Sequence, residues 1–186
     1  MKRIFDFTLA AILLALFCIP ILLVALLVKI TSKGPALYWS ERVGKNNILF
    51  SMPKFRSMRT DAPVVATHLM ADPKQYLTPI GSLLRKSSLD ELPQLWNILI
   101  GDMSFVGPRP ALYNQTDLME LRTSLGVSAL TPGLTGWAQI NGRDELPIPV
   151  KVKFDAEYLK SKSMRFDFYI LWMTFLKVIR RDGVSH

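Results

Sequence analysis

LAAILLALFCIPILLVALLV (residues 9–28) is a run of twenty residues without a charge, and how it is read decides how the rest of the chain is arranged. As an unbroken helix rising about 1.5 Å per residue it would reach about 30 Å, the thickness of a hydrocarbon core, so a plain spanning helix is the simplest reading. Pro20 argues for a bend, because it removes a backbone donor and crowds the preceding turn at about 3 kcal/mol in a regular helix interior. Membrane helices tolerate proline, so the kink alone does not choose. The flanking charges say more: Lys2 and Arg3 precede the run, while Lys29, Lys33, Arg42, Lys45 and Lys54 follow it. Basic flanks favour the cytoplasmic side, and a helix that enters, bends near Pro20 and leaves by the same face satisfies both. A cleavable signal peptide is the third reading; the length of the run and the lack of a small-x-small cleavage pattern oppose it. The expectation is a helix broken within one turn of Pro20, with both basic ends on the side of the remaining chain.

Residues 1–30 are therefore read as a re-entrant membrane helix and residues 31–186 as one compact domain on the cytoplasmic face of a membrane. The formal charge of +8 over 186 residues suits an anionic partner. Nucleic acid is the poorer candidate, since no zinc-finger spacing, basic helix or aromatic-basic strand accompanies the charge. The single cysteine, Cys18, lies in the apolar run, which excludes disulfides and cysteine-rich metal sites.

Along the domain, TSKGPALYWSERVG mixes turn formers with aromatic pieces, and ILFSMPKFRSM reads as a strand pair or hairpin. Residues 60–79 carry three prolines and read as loop with one helical turn. Residues 80–86 form a short helix. In SSLDELPQLWNILIGDMS, Leu92, Leu95, Trp96 and Leu99 make one apolar helical face that stops at Gly101. SFVGPRPALY is loop, 115–126 helix, 130–143 strand and turn, and 150–159 helix again. The tail MRFDFYILWMTFLKVIRRDG is aromatic and aliphatic along one side and basic at its end, which fits an interfacial helix and a C-terminal core helix equally. The fold class is α/β: a re-entrant helix, then a small mixed domain with a short β-hairpin and interfacial amphipathic helices.

Adjacent acids, Asp90 and Glu91, open the best helix. Ser88 and Glu91 match the S-x-x-E capping box, so one reading is purely structural. The functional reading starts from the same place, because a helix N-terminus favours phosphate. Two carboxylates there suit Mg²⁺, a hard cation that keeps waters and substrate phosphates, and one of them can attack phosphorus to form an acyl-phosphate. Lys54 and Arg56 in PKFRSM, Arg85 in LLRKSS, Arg109 in VGPRP and Arg143 in INGR are the candidate phosphate or nucleotide ligands, arginine by its bidentate fork. Arg109 is favoured because Pro108 and Pro110 stiffen its loop. At least three of the four arginines are expected around one cavity with the acids.

The motifs KRIFDF, PKFRSM, LLRKSSLDELPQLWNILIGDMSFVGPRP, PGLTGWAQINGR, FDAEYL and RRDGVS occur in order over nearly the whole chain. In these the sequence resembles the bacterial sugar transferase family, the monotopic phosphoglycosyl transferases. The resemblance implies transfer of a sugar 1-phosphate from a UDP-sugar to a polyprenyl phosphate such as undecaprenyl phosphate, with release of UMP, at the start of glycan assembly on the bacterial inner membrane. It implies Asp90 as nucleophile through a covalent phospho-aspartate, Glu91 as its neighbour, Mg²⁺ associated with both, and Arg56, Arg85, Arg109 and Arg143 as the active-site basic residues. It also implies a re-entrant helix bent at a Ser-Pro pair; here Ile19 stands before Pro20, and Thr131 stands where the pattern has arginine before Pro-Gly.

Two rivals share the same residues. A single-displacement transferase would use Asp90 and Glu91 only to coordinate the metal, and a non-catalytic scaffold would use the basic face to hold anionic lipid. The expected partners are thus a UDP-sugar, a polyprenyl phosphate and the phospholipid bilayer, with no nucleic acid. The tail aromatics can pack on lipid or on a second copy as a homodimer. The specificity elements are sought in residues 60–76 and 143–151, since loops carry discrimination on a shared scaffold.

Overall fold

A computed structural model describes residues 1–63, 72–142 and 146–180. The apolar run is broken. Helix α1 (Lys2–Leu16) and helix α2 (Cys18–Thr31) meet at 62°. Phe17, at φ −93° and ψ 9°, is the joint, three residues before Pro20. That offset has a cause: breaking at Phe17 puts Pro20 in the first turn of α2, where its missing N–H would have had no partner and its ring meets no preceding turn. Neither helix alone is long and apolar enough to cross a membrane, whereas the bent pair together has the length and composition. Its outward residues, among them Ile12, Leu16, Ile19, Leu22, Leu23, Leu26 and Ile30, are exposed and apolar.

Both ends of the pair are tied to the rest of the chain. Lys2 Nζ lies 2.5 Å from Asp167, and Arg3 donates to the carbonyls of Ile98 and Leu99 at 2.5 and 2.6 Å. At the other end the Arg56 guanidinium donates to the carbonyls of Ser32 and Lys33 and to the Ser32 hydroxyl. Asp6, buried in α1, accepts from Ser104 Oγ at 2.9 Å and from the Phe105 amide at 3.2 Å.

The hairpin forms, with arms other than those expected. ILFSMPKFRSM supplies only the second strand, β2 (Leu49–Phe55); the first, β1 (Leu37–Val43), comes from LYWSERV, and Leu37 faces Phe55 while Val43 faces Leu49. Asn46 and Asn47, at φ 56° and 62°, make the reversal, a backbone state asparagine tolerates. Helix α3 (Gly81–Lys86) leads through a 3-10 segment, Leu89–Gln94, into α4 (Leu95–Ile100), which stops at Gly101 with φ 105°. The 3-10 winding accommodates Pro93, whose ring and missing N–H would disrupt an α-helix interior. SFVGPRPALY is not all loop: β3 (Ser104–Val106) pairs in parallel with β4 (Gly133–Thr135). Between them lies α5 (Thr116–Ser124), and after β4 come α6 (Trp137–Ile140), α7 (Ile148–Ser161) and α8 (Met164–Arg180). Within the region read as loop, Pro73–Tyr76 makes one 3-10 turn; residues 64–71 lie outside the described residues.

The main core joins Met52, Leu95, Ile98, Met103, Phe105, Val106, Ile140, Tyr158 and Ile170 with Ala10 of α1. Helix α8 packs one face on the core and leaves another face apolar and exposed. Ile170 is fully buried, while Phe168, Trp172, Phe175 and Val178 stand exposed, and Phe168 packs edge-on against Phe5 of α1 at 5.1 Å. The architecture is a mixed α/β domain with a short antiparallel hairpin and a bent N-terminal helix pair.

Candidate active site

Three elements converge on the acid pair. Ser88 adopts φ 56° and ends the turn after α3, so Asp90 and Glu91 fall in the first turn of the 3-10 segment. The capping box does not form: Ser88 makes no side-chain cap, and the Glu91 carboxylate points elsewhere. Its Oε1 accepts from Lys54 Nζ at 2.9 Å and from Arg109 Nη2 at 3.1 Å. Lys54 comes from β2, opposite Tyr38, and Arg109 from the loop after β3. Arg85, in the last turn of α3, adds a third positive charge that acts on Asp90.

The two carboxylates are driven apart electrostatically. Asp90 is 8% exposed, and burial, reinforced by the negative charge of Glu91, pushes its pKa up from 3.8 to about 6 against the pull of Lys54, Arg85 and Arg109. Burial also works against the Glu91 charge, but Lys54 and Arg109 outweigh it and hold that carboxyl well below the usual carboxylate range. A pair so separated has one member that stays charged and one that titrates in the range where enzymes work.

The Arg109 loop is clamped along its backbone. Gly107 N–H donates to Thr135 O and Gly133 N–H to Pro108 O, both at 2.9 Å. A Cβ at Gly107 would collide with the carbonyl of Thr131, so only glycine fits that crossing of the two strands. Arg42 reaches Pro110 O at 3.3 Å, and Arg122 Nη1 donates to the carbonyl of Arg109 itself at 2.9 Å.

Of the residues singled out in the sequence, Lys54, Arg85 and Arg109 meet Asp90 and Glu91, with Pro108 and Pro110 flanking Arg109. Arg56 does not join them. It follows β2 directly, and its buried guanidinium donates to Ser32 and Lys33 just past the end of α2, not to the acids. Among the described residues two of the four arginines, Arg85 and Arg109, gather at the acids, with Lys54 as a third cation; Arg143 lies outside the described residues. Arg122 and Asp155 were missed as site neighbours. FDAEYL contains Asp155, but nothing in its spacing discloses that it faces Arg122 on another helix.

Among the described residues no group of three or more His, Cys, Asp or Glu side chains is placed to hold a metal ion. The acid pair alone offers two hard oxygen donors.

The model of the bacterial sugar transferase family matches residues 1–181. The chain is 38% identical to an uncharacterised sugar transferase, EpsL, of Bacillus subtilis, over 100% of this chain and 90% of that protein. It is 37% identical to the undecaprenyl-phosphate galactose phosphotransferase of Salmonella typhimurium, over 98% of this chain and 41% of the other. To the UDP-glucose:undecaprenyl-phosphate glucose-1-phosphate transferase of Escherichia coli it is 38% identical, over 95% of this chain and 40% of the other. The chain therefore spans about two fifths of the length of those last two proteins and nearly all of the first. With Asp90, Glu91, Lys54, Arg85 and Arg109 in one site and the match running through both helices and domain, the chain belongs to the bacterial sugar transferase family.

Proposed function

We propose that the chain transfers a sugar 1-phosphate from a UDP-sugar to a polyprenyl phosphate such as undecaprenyl phosphate, opening the membrane phase of glycan assembly. The observation that carries this reading is the split acid pair: a buried Asp90 titrating near 6 beside a Glu91 whose charge is locked by Lys54 and Arg109. The names of the Salmonella and E. coli relatives describe transfer of this kind.

In the reading, ionised Asp90 attacks the β-phosphorus of the UDP-sugar. A bond forms from its carboxylate oxygen to that phosphorus as the bond to the bridging oxygen breaks, and UMP leaves. An oxygen of the polyprenyl phosphate then attacks the same phosphorus, expels Asp90 and gives a polyprenyl diphosphate sugar. Lys54, Arg85 and Arg109 offset the negative charge on the phosphates through both steps. Glu91 is too acidic to serve as a strong base, and none is needed, because the second pKa of a phosphate monoester lies near 6. Its part is to hold the two cations at the site. The donor set fits Mg²⁺, which one or two carboxylates hold when substrate phosphates complete the shell. Asp90 and Glu91 would be its ligands, and it would supply further neutralisation of the diphosphate.

A lipid acceptor requires the site at the bilayer surface. The bent α1–α2 pair supports a re-entrant anchor, since Lys2 and Arg3 at one end and Ser32 and Lys33 at the other are bound to the same domain. The exposed rings of Phe168, Trp172 and Phe175 support a second contact with lipid. The basic residues at both ends of the pair support a domain on the cytoplasmic face of the inner membrane, the side such flanks favour.

Incubation with a panel of UDP-sugars labelled in the β-phosphate, without acceptor, tests the reading. Labelled protein, lost in Asp90→Asn and discharged by polyprenyl phosphate, is the expected result. Turnover of both substrates by a protein that never labels would replace the covalent scheme with single displacement.

A further inference from the structure

Arg122 is a buried arginine beside the site that the proposed reaction leaves unused. Its side chain is 9% exposed and that of its partner Asp155 is 2% exposed. Nε and Nη2 both donate to Asp155 Oδ2, at 2.9 and 2.7 Å, joining α5 to α7. Nη1 points out of the pair and donates to the backbone carbonyl of Arg109 at 2.9 Å. One planar fork therefore spans three pieces of chain, and its third contact is the residue that grips Glu91.

A buried ion pair is a poor source of stability, because desolvation offsets the attraction and well-packed apolar residues often do as well. Burial here works against the Asp155 charge, with Arg122 as the main opposing influence. What apolar side chains cannot supply is a donor aimed at a carbonyl in the GPRP loop. The loop needs one: the peptide of Arg109 lies between Pro108 and Pro110, neither of which has a backbone N–H, and its strand contacts stop at Gly107 and Pro108. Beyond Pro108 the backbone is held by Arg122 at Arg109, by Arg42 at Pro110, and by the Val43 amide at Ala111.

We infer that Arg122, aimed by Asp155, is a positioning residue that sets the backbone of Arg109 and so the reach of the Arg109 guanidinium to Glu91 and to the substrate phosphates. The phosphate part of this assignment rests on the proposed reaction; the Arg109 part does not. Lysine at position 122 keeps the charge and can pair with Asp155, but it lacks the fork to reach both Asp155 and the Arg109 carbonyl.

Two measurements on the full chain in lipid nanodiscs test the inference. In the first, UMP release from UDP-sugars, with polyprenyl phosphate supplied in the nanodiscs as acceptor, is compared among wild type, Arg122→Lys, Arg109→Ala and the double variant. Arg122→Lys is expected to lower kcat about tenfold with less change in KM, and to cost nothing further once Arg109 is alanine. Equal losses in both backgrounds would show a general structural role and overturn the inference. In the second, the guanidinium Nε–H resonance of Arg109, assigned by its loss in Arg109→Lys, is followed in ¹⁵N-arginine-labelled protein. It is expected to move toward that of a solvent-averaged arginine in Arg122→Lys; an unmoved resonance overturns the inference. If wild type releases no UMP from any UDP-sugar, the reaction assignment fails and the resonance still judges the positioning. Should Arg122→Lys not fold, Asp155→Asn, which removes the aim of the fork and leaves Arg122 intact, is read by the same two measurements with the same outcomes.

Discussion

Replacing Asp90 by asparagine should remove the proposed covalent chemistry and make the protein more stable, but only at pH values where the aspartate would be charged. The native carboxyl holds its proton more tightly than the unfolded chain does, with a pKa near 6 against 3.8. Protons are therefore released on unfolding between those values, and stability falls as pH rises through that window. Below it both states are protonated and the charge costs nothing. Above it the full difference applies: a little over two units at about 1.4 kcal/mol each sets a ceiling of about 3 kcal/mol. Asparagine does not reproduce every contact of a carboxylate, so a gain of about 1–3 kcal/mol is expected at about pH 7.5. For a chain of this size that is several degrees in Tm. Thermal melts of wild type and Asp90→Asn, taken from about pH 4 to about pH 8, read it directly. The two curves should converge at the acid end and separate above about pH 6. A gain of the same size at every pH, or a loss at neutral pH, would show that Asp90 is not a desolvated charge and would remove the electrostatic basis of the site. The trade is one expected of a reactive group held at a cost to the fold.

Glu91→Gln should shift the pH midpoint for labelling of Asp90 to the acid side of 6, because it removes the charge that raises Asp90 and releases Lys54 and Arg109 toward it; a midpoint that stays or rises would refute the pairing. Pro20→Leu should move part of the population from re-entrant to spanning, read as new accessibility of a cysteine at the N-terminus from outside intact cells. No change in labelling would mean that the break at Phe17 does not depend on the proline. The double change Trp172→Ser and Phe175→Ser should leave the melt within about 1 kcal/mol of wild type, since both rings are exposed, while releasing more protein from membranes in a high-salt wash. Full retention would take α8 off the bilayer.

The acid pair was legible in the sequence because its neighbours in the chain carry the signal: a capping pattern and an apolar helical face both point to one turn. What no local pattern could tell was which cations reach it. Lys54 and Arg56 stand two apart in PKFRSM and look equivalent as charges, yet one ends on Glu91 and the other on the carbonyls of Ser32 and Lys33. The choice between them is made by where β2 lies against α2 and the 3-10 segment, a tertiary fact. The same holds for β3, where three residues gain strand character only because Gly133–Thr135 arrives beside them from a distant part of the chain. Arg122 and Asp155 belong to helices read correctly as helices, but a helix reading assigns faces and not partners.

The bend shows most clearly where composition stops and packing begins. Hydropathy and charge call for a broken helix near Pro20, and the break falls at Phe17, so the proline acts as the first-turn residue of a new helix and not as a kink inside an old one. That difference has a consequence for Ile19. A kinked helix needs a partner for the carbonyl freed by proline, which is the use of a hydroxyl before it; two helices meeting at a joint each end in their own terminal turn, and the Phe17 amide still finds Leu13 O at 2.8 Å while the Ile21 amide finds Phe17 O at 2.8 Å. The backbone is thus bonded up to and away from the joint without a serine. What holds the angle lies at the far ends, where Lys2, Arg3 and Asp6 on one arm and Ser32 and Lys33 on the other are bound to the domain. A spanning helix would have to forfeit one of those sets, so the contacts that join the helix pair to the domain also select the bent form.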